Sequence, residues 1–148
     1  MDEKNLIIAE AHCDGPCGVY DPSSARIAGE AVQSMTNKML ALTCPSTDDG
    51  PAMATYLNTM SRYAAIKEEE AQKCKDELLV LWTDFFKPQH LEANPNLHDT
   101  FWKAAKLCSA CKVEVSAEHA QELMDAIEDI HGMFWATKGR EVTWIRAS

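Results

Sequence analysis

One short stretch of the 148-residue chain gathers metal-type donor atoms more densely than any other: EAHCDGPCGVYDP, residues 10–22. It sets His12 directly before Cys13 and brings a second thiol, Cys17, four positions on, with Gly15 and Pro16 bending the chain between them. Thiolates are soft donors, and imidazole suits zinc, copper, iron and nickel. A structural zinc site wants four ligands, commonly as two separated pairs. Here two cysteines and one histidine lack the Cys-x-x-Cys spacing, so zinc would need a fourth ligand from elsewhere. Another site closes on the peptide itself if the chain is cut before His12. The freed amine, the His12–Cys13 amide nitrogen and the thiolates of Cys13 and Cys17 then offer two nitrogens and two sulfurs in one plane, with the His12 imidazole capping it. Square-planar or tetragonal donors point to nickel or copper. Thiols tend to reduce Cu(II), which favours nickel. The leading peptide MDEKNLIIAEA, residues 1–11, would mask the amine until it is removed.

Composition narrows the partners. The net charge is −9; residues 1–11 hold three acids and one lysine, and the remainder carries −7. Such a surface argues against nucleic acid and against anionic membranes. No run of 18 apolar residues exists, and LIIA near the start is too short for a secretory signal. A chain of this length buries a core without staples, so the six cysteines read as reduced thiols in a cytoplasmic setting.

Helices must position the hook. From Ser23, Ile27, Ala31, Val32, Met35, Met39 and Leu42 recur about a turn apart and predict one amphipathic face. CPSTDDGP, residues 44–51, is a loop. A second helix is predicted over 52–86, with Leu57, Met60, Ala64, Ala71, Cys74, Leu78, Leu81 and Phe85 as its stripe and KEEEAQKCKDE as its solvated stretch. Two prolines break the pattern in 87–96. Asn96 is placed to cap a third helix bearing Leu97, Phe101, Ala104, Ala105 and Cys108. Ser116 opens a fourth, with Ala120, Leu123, Ile127, Ile130 and Phe134 inward and Gly139 as its C-cap. In the tail after it, Val142, Trp144 and Ile145 are candidates for docking. The expected fold is all-α, an up-and-down four-helix bundle with an N-terminal metal-binding hook at 12–20, residues 12–148 forming one domain.

The hook resembles that of the nickel-dependent superoxide dismutases, whose pattern is His-Cys-x-x-Pro-Cys-Gly-x-Tyr. His12, Cys13, Pro16, Cys17, Gly18 and Tyr20 match it, and Asp14, Asp21 and Pro22 agree. ARIAGEAV, VLWTDFFKPQHLE, NLHDTFWKAAK and IHGMFWATKG resemble the family's helical segments, so the resemblance runs from His12 to about Gly139. It implies a precursor cut before His12 by a maturation protease, one nickel ion per subunit, and a homohexamer of four-helix bundles. It implies disproportionation of superoxide to oxygen and hydrogen peroxide as nickel alternates between its divalent and trivalent states. His12, Cys13 and Cys17 would be the metal ligands and Tyr20 the gate for small anions. A cis Gly15–Pro16 bond and a steering role for Lys87 are also implied. The alternative is a non-enzymatic nickel- or zinc-binding helical module with the same hook.

The chain departs from the family at the imidazole brace. Where some members place a glutamate and an arginine, it has Ala28 and Glu70, and Phe85 replaces a tyrosine. Cys44, Cys74, Cys108 and Cys111 read as structural thiols before redox groups. His90, His98, His119 and His131 stand alone in sequence and read as surface or core residues.

Overall fold

The structure, a computed structural model, describes residues 17–148. Its elements are α1 (Ser23–Ala41), α2 (Gly50–Val80), a π-helical turn (Leu81–Phe85), the short α3 (His90–Ala93), α4 (Leu97–Val113) and α5 (Ala117–Thr137). The long helix α1 packs on α2, α2 on α4, α4 on α5, and α5 back on α1. That closed ring of sequence neighbours is the expected up-and-down bundle.

Two of the three predicted caps hold, Ser116 and Gly139, and Asp49 adds one the sequence reading did not name. Ser116 Oγ accepts the His119 N–H at 3.1 Å, and Asp49 Oδ1 accepts that of Ala52 at 3.0 Å. At the end of α5 the Gly139 N–H reaches the Ala136 carbonyl and the Arg140 N–H that of Trp135, with Gly139 at φ +63°. This double closure of the last turn needs a left-handed residue, which glycine adopts without a Cβ penalty. Asn96 differs from expectation: it occupies the N-cap position of α4, but its side chain makes no capping bond.

The face of α1 is rotated from the predicted one. Ile27 is 58% exposed, while Ala25, Ala28, Gly29 and Val32 are buried. Small residues win the inward positions because neighbouring helices approach closely there. A Cβ on Gly29 would lie 2.6 Å from Ile127 Cδ1 and 3.0 Å from Met124 Sδ.

The N-terminal half of α2 also departs from the pattern. Its 31 residues span about 46 Å, against about 25 Å for the 17 of α4. Gly50–Ile66 overhangs the end of α4, so Leu57 is 55% exposed and the inward stripe begins only at Lys67 and Ala71. Lys67, expected on a solvated stretch, is buried. Its ammonium donates to the Cys111 carbonyl, to that of Lys112 at 2.9 Å and to that of Glu114 at 3.0 Å. These belong to the last turn of α4 and the residue after it, where helix carbonyls lack partners. Burial pushes this lysine below its usual range.

Lys67→Met, which keeps the stem and removes the ammonium, leaves those carbonyls without that donor. It should lower unfolding free energy by about 1–3 kcal/mol in a denaturant titration, with helical content retained.

Candidate metal centre

Residues 1–16 lie outside the described residues. The expected ligands His12 and Cys13, the Gly15–Pro16 bond and the expected propeptide 1–11 therefore have no structural account here. The far leg of the hook, residues 17–22, is described. Cys17 is exposed. Gly18 follows at φ +65°, a left-handed turn that a side chain would strain. Asp21 Oδ1 accepts the Ser23 N–H at 2.8 Å, and the Pro22 carbonyl accepts the Arg26 N–H at 3.1 Å. These bonds bind the leg to the first turn of α1.

Tyr20 docks on the bundle. Its ring lies 5.5 Å from that of Phe85, and Phe85 lies 4.5 Å from Phe134 of α5 and 5.0 Å from Phe86. The π turn makes this possible. The Phe86 N–H bonds the carbonyl of Leu81, five residues back, at 3.1 Å, and the wider turn brings successive phenylalanines inward before Pro88 stops the helix. Sequence periodicity assigned 81–85 to an ordinary α-helix, because one inserted residue leaves the apolar pattern almost unchanged. His90 of α3 stacks on Phe85 at 5.9 Å, its Nδ1 accepting the Lys87 N–H at 2.9 Å.

The charge beside this cluster is Lys138, with Nζ 5.1 Å from the Phe85 ring centre and 5.8 Å from that of Phe134. Sequence reasoning missed it; only the return of α5 to the foot of the hook reveals it. Lys87 turns instead to the Asp84 carbonyl, 3.1 Å from its Nζ, and lines a separate cavity with Trp82, Phe86 and His98. At the positions of the imidazole brace, Ala28 is buried, and Glu70 accepts from Lys73 at 2.8 Å.

Among the described residues no group of three or more His, Cys, Asp or Glu side chains is arranged to hold a metal. Of the remaining histidines, His98 Nδ1 accepts from Trp82 Nε1 at 2.8 Å, His131 Nε2 donates to the Val142 carbonyl at 2.7 Å, and His119 meets Glu114 at 3.1 Å. The thiols divide sharply. Cys74, Cys108 and Cys111 are buried, whereas Cys17 and Cys44 are exposed. The Cys74 thiol is raised well above its ordinary range, first by its hydrogen bond with Cys108 and then by burial. Burial pushes Cys111 up to about 11. An exposed thiol beside a left-handed glycine, tied to a rigid helix, fits a ligand role for Cys17. Cys74 and Cys111, so raised, keep the protonated form, which neither ligates nor attacks readily.

The family model for nickel-containing superoxide dismutase matches residues 7–138. The chain belongs to that family. It is 42% identical over 128 residues to the nickel superoxide dismutase of Streptomyces seoulensis, covering 86% of this chain and 88% of that protein. To the enzyme of Streptomyces coelicolor it is 39% identical over 132 residues, covering 89% and 92%. Among solved structures, a nickel-containing superoxide dismutase with oxidised-state nickel ligation superposes with a TM-score of 0.74. It is 41% identical, covering 87% of this chain and all of that one. A native nickel superoxide dismutase gives 0.74 at 38% identity and the same coverage.

In the folded, metal-free protein at pH 8, a thiol-alkylating reagent should modify Cys17 and Cys44 within minutes, with Cys74, Cys108 and Cys111 reacting only after denaturation. Peptide mass spectrometry reads the pattern, and rapid native labelling of Cys111 would contradict the burial argument.

Proposed function

We propose that this chain converts superoxide to oxygen and hydrogen peroxide at a nickel ion held by its N-terminal hook. The observation that carries the reading is the foot of the hook. An exposed Cys17 lies three residues before Tyr20, which docks on the aromatic cluster of Phe85 and Phe134 beside a lysine ammonium, in a chain that belongs to the nickel-containing superoxide dismutases.

The donors would be the freed amine and imidazole of His12, the Cys13 amide nitrogen, and the thiolates of Cys13 and Cys17. Nickel, when bound, supplies the one-electron cycle between its divalent and trivalent states. Anionic thiolate and amide donors favour the higher state, which water ligands support poorly. Tyr20, braced on Phe85, would gate the approach of small anions. Phe85 supplies a ring without a hydroxyl, so its part is to seat Tyr20. Residues 1–11 would be a propeptide whose removal by a protease frees the His12 amine, leaving 12–148 as the working domain.

Two broader readings go with this one. A homohexamer is supported by the overhang of α2, where Leu57 and Ile66 are exposed among the described residues. A cytoplasmic setting is supported by the free state of the described cysteines. No helix among the described residues is long and apolar enough to cross a membrane.

Nickel-loaded protein beginning at His12 should dismutate superoxide, and protein beginning at Met1 should not, because an internal His12 nitrogen is an amide. Cys17→Ser in the cut protein should reduce activity to a trace with the circular dichroism of the bundle unchanged. Nickel bound without turnover in the cut wild type would establish the non-enzymatic module instead.

Steering follows from Lys138. Exposed charges act over roughly 8 Å at physiological salt, so its position at the cluster matters more than the net negative charge of the chain. Lys138→Ala should lower kcat/KM a few-fold at low ionic strength and flatten its salt dependence. Lys87→Ala should change the slope less, since its ammonium is turned to the Asp84 carbonyl. Pulse radiolysis across an ionic-strength series measures both.

A further inference from the structure

We propose that residues 140–148 are a strap that locks α1 onto α5 by supplying the partners of a buried carboxylate, and that this lock steadies the helix on which the hook is mounted. The strap is additional to the family domain, whose match ends at residue 138.

After the Gly139 turn the chain doubles back over α5. Arg140 sits 5.1 Å above the Trp135 ring, His131 donates to the Val142 carbonyl, and Trp144 packs edge-on to His131 at 5.3 Å and against the core. The chain then crosses to α1. The Ala147 N–H donates to Glu30 Oε1 at 2.8 Å, Arg146 Nε lies 3.5 Å from the same oxygen, and Arg146 Nη2 bonds Gln33 Oε1. The Glu30 side chain is only 7% exposed. Its other oxygen accepts from Arg26 Nη1 at 2.9 Å.

A buried carboxylate is costly unless paired and hydrogen-bonded. Here half of that pairing comes from the last three residues of the chain. The other half comes from Arg26, whose own N–H holds the Pro22 carbonyl at the foot of the hook. A continuous path therefore runs from Ala147 and Arg146 through Glu30 and Arg26 to Pro22. Apolar contact by Trp144 alone would not need the charge on Glu30; the lock does.

The test compares four metal-free proteins by thermal melting and amide hydrogen exchange: the full chain, the chain ending at Arg140, and each of these carrying Glu30→Gln. Truncation should lower Tm by several degrees and speed exchange roughly tenfold across residues 18–33, with the α2–α4 seam little changed. Glu30→Gln should lower Tm in the full chain, where it loses Arg146 and Arg26 as charged partners. It should change Tm little in the truncated chain, where the carboxylate is open to water and keeps only Arg26. Arg146→Ala in the full chain, a milder lesion that keeps Trp144 in place, should reproduce part of the truncation effect on α1. The proposal is overturned if truncation leaves exchange in α1 unaltered, or if Glu30→Gln has the same effect on Tm in both lengths, since the tail would then serve only as apolar cover.

Discussion

The contact of Tyr20 with Phe85 is the constraint around which the working end of the molecule is arranged. A nine-residue hook is too short to build a core, so its foot must borrow rigidity from the bundle. Aromatic pairs of this geometry contribute about 0.5–1.5 kcal/mol beyond the area they bury. Three elements converge to supply the seat: the π turn offers Phe85, the last turns of α5 offer Phe134, and Asp21 and Pro22 bind the leg to α1. Loss of any one would leave the ring of Tyr20 without a fixed partner surface.

The same economy appears in how the helices meet. Small residues on α1 let α5 approach until no Cβ fits at position 29, so alignment comes from close packing. Where α4 ends, the buried Lys67 ammonium gathers the carbonyls that the helix cannot satisfy, joining α2 to α4 at the point where the overhang begins. Polar groups are thus buried at seams and helix ends, each with an identifiable partner, while the centre of the bundle is filled by residues such as Phe101, Leu123 and Ile127.

Thiol chemistry is separated by burial. A protein whose product is hydrogen peroxide places cysteines at risk, and oxidation follows thiolate character and exposure. Cys74, Cys108 and Cys111 lie in the core, where Cys74 and Cys111 are raised above the ordinary thiol range; Cys17, the one next to the hook turn, is open to solvent. Cys17, the proposed ligand, has the access that metal binding needs; Cys44, read from the sequence as structural, is exposed as well.

Much of this was legible in the sequence because it is local. The donor set of the hook depends on neighbours within six positions, and the long helices follow from apolar recurrence, caps and prolines. What the sequence left undecided is non-local. Which face of α1 turns inward depends on how near α5 can come, and Ile27, more apolar than Ala28 or Gly29, loses the inner position on size. Phe85 reaches Tyr20 through one extra residue in a helical turn, which periodicity does not register. Lys138, Lys67 and Arg146 look like ordinary surface cations in the one-dimensional pattern. Only the antiparallel return of α5, the register of α2 against α4 and the doubling back of the tail bring them to the hook, to a helix end and to a buried carboxylate. The sequence by itself determined the helices and offered the candidate donor atoms; the tertiary structure decided which charges and rings stand beside the foot of the hook, because those distances are set by packing between segments far apart in the chain.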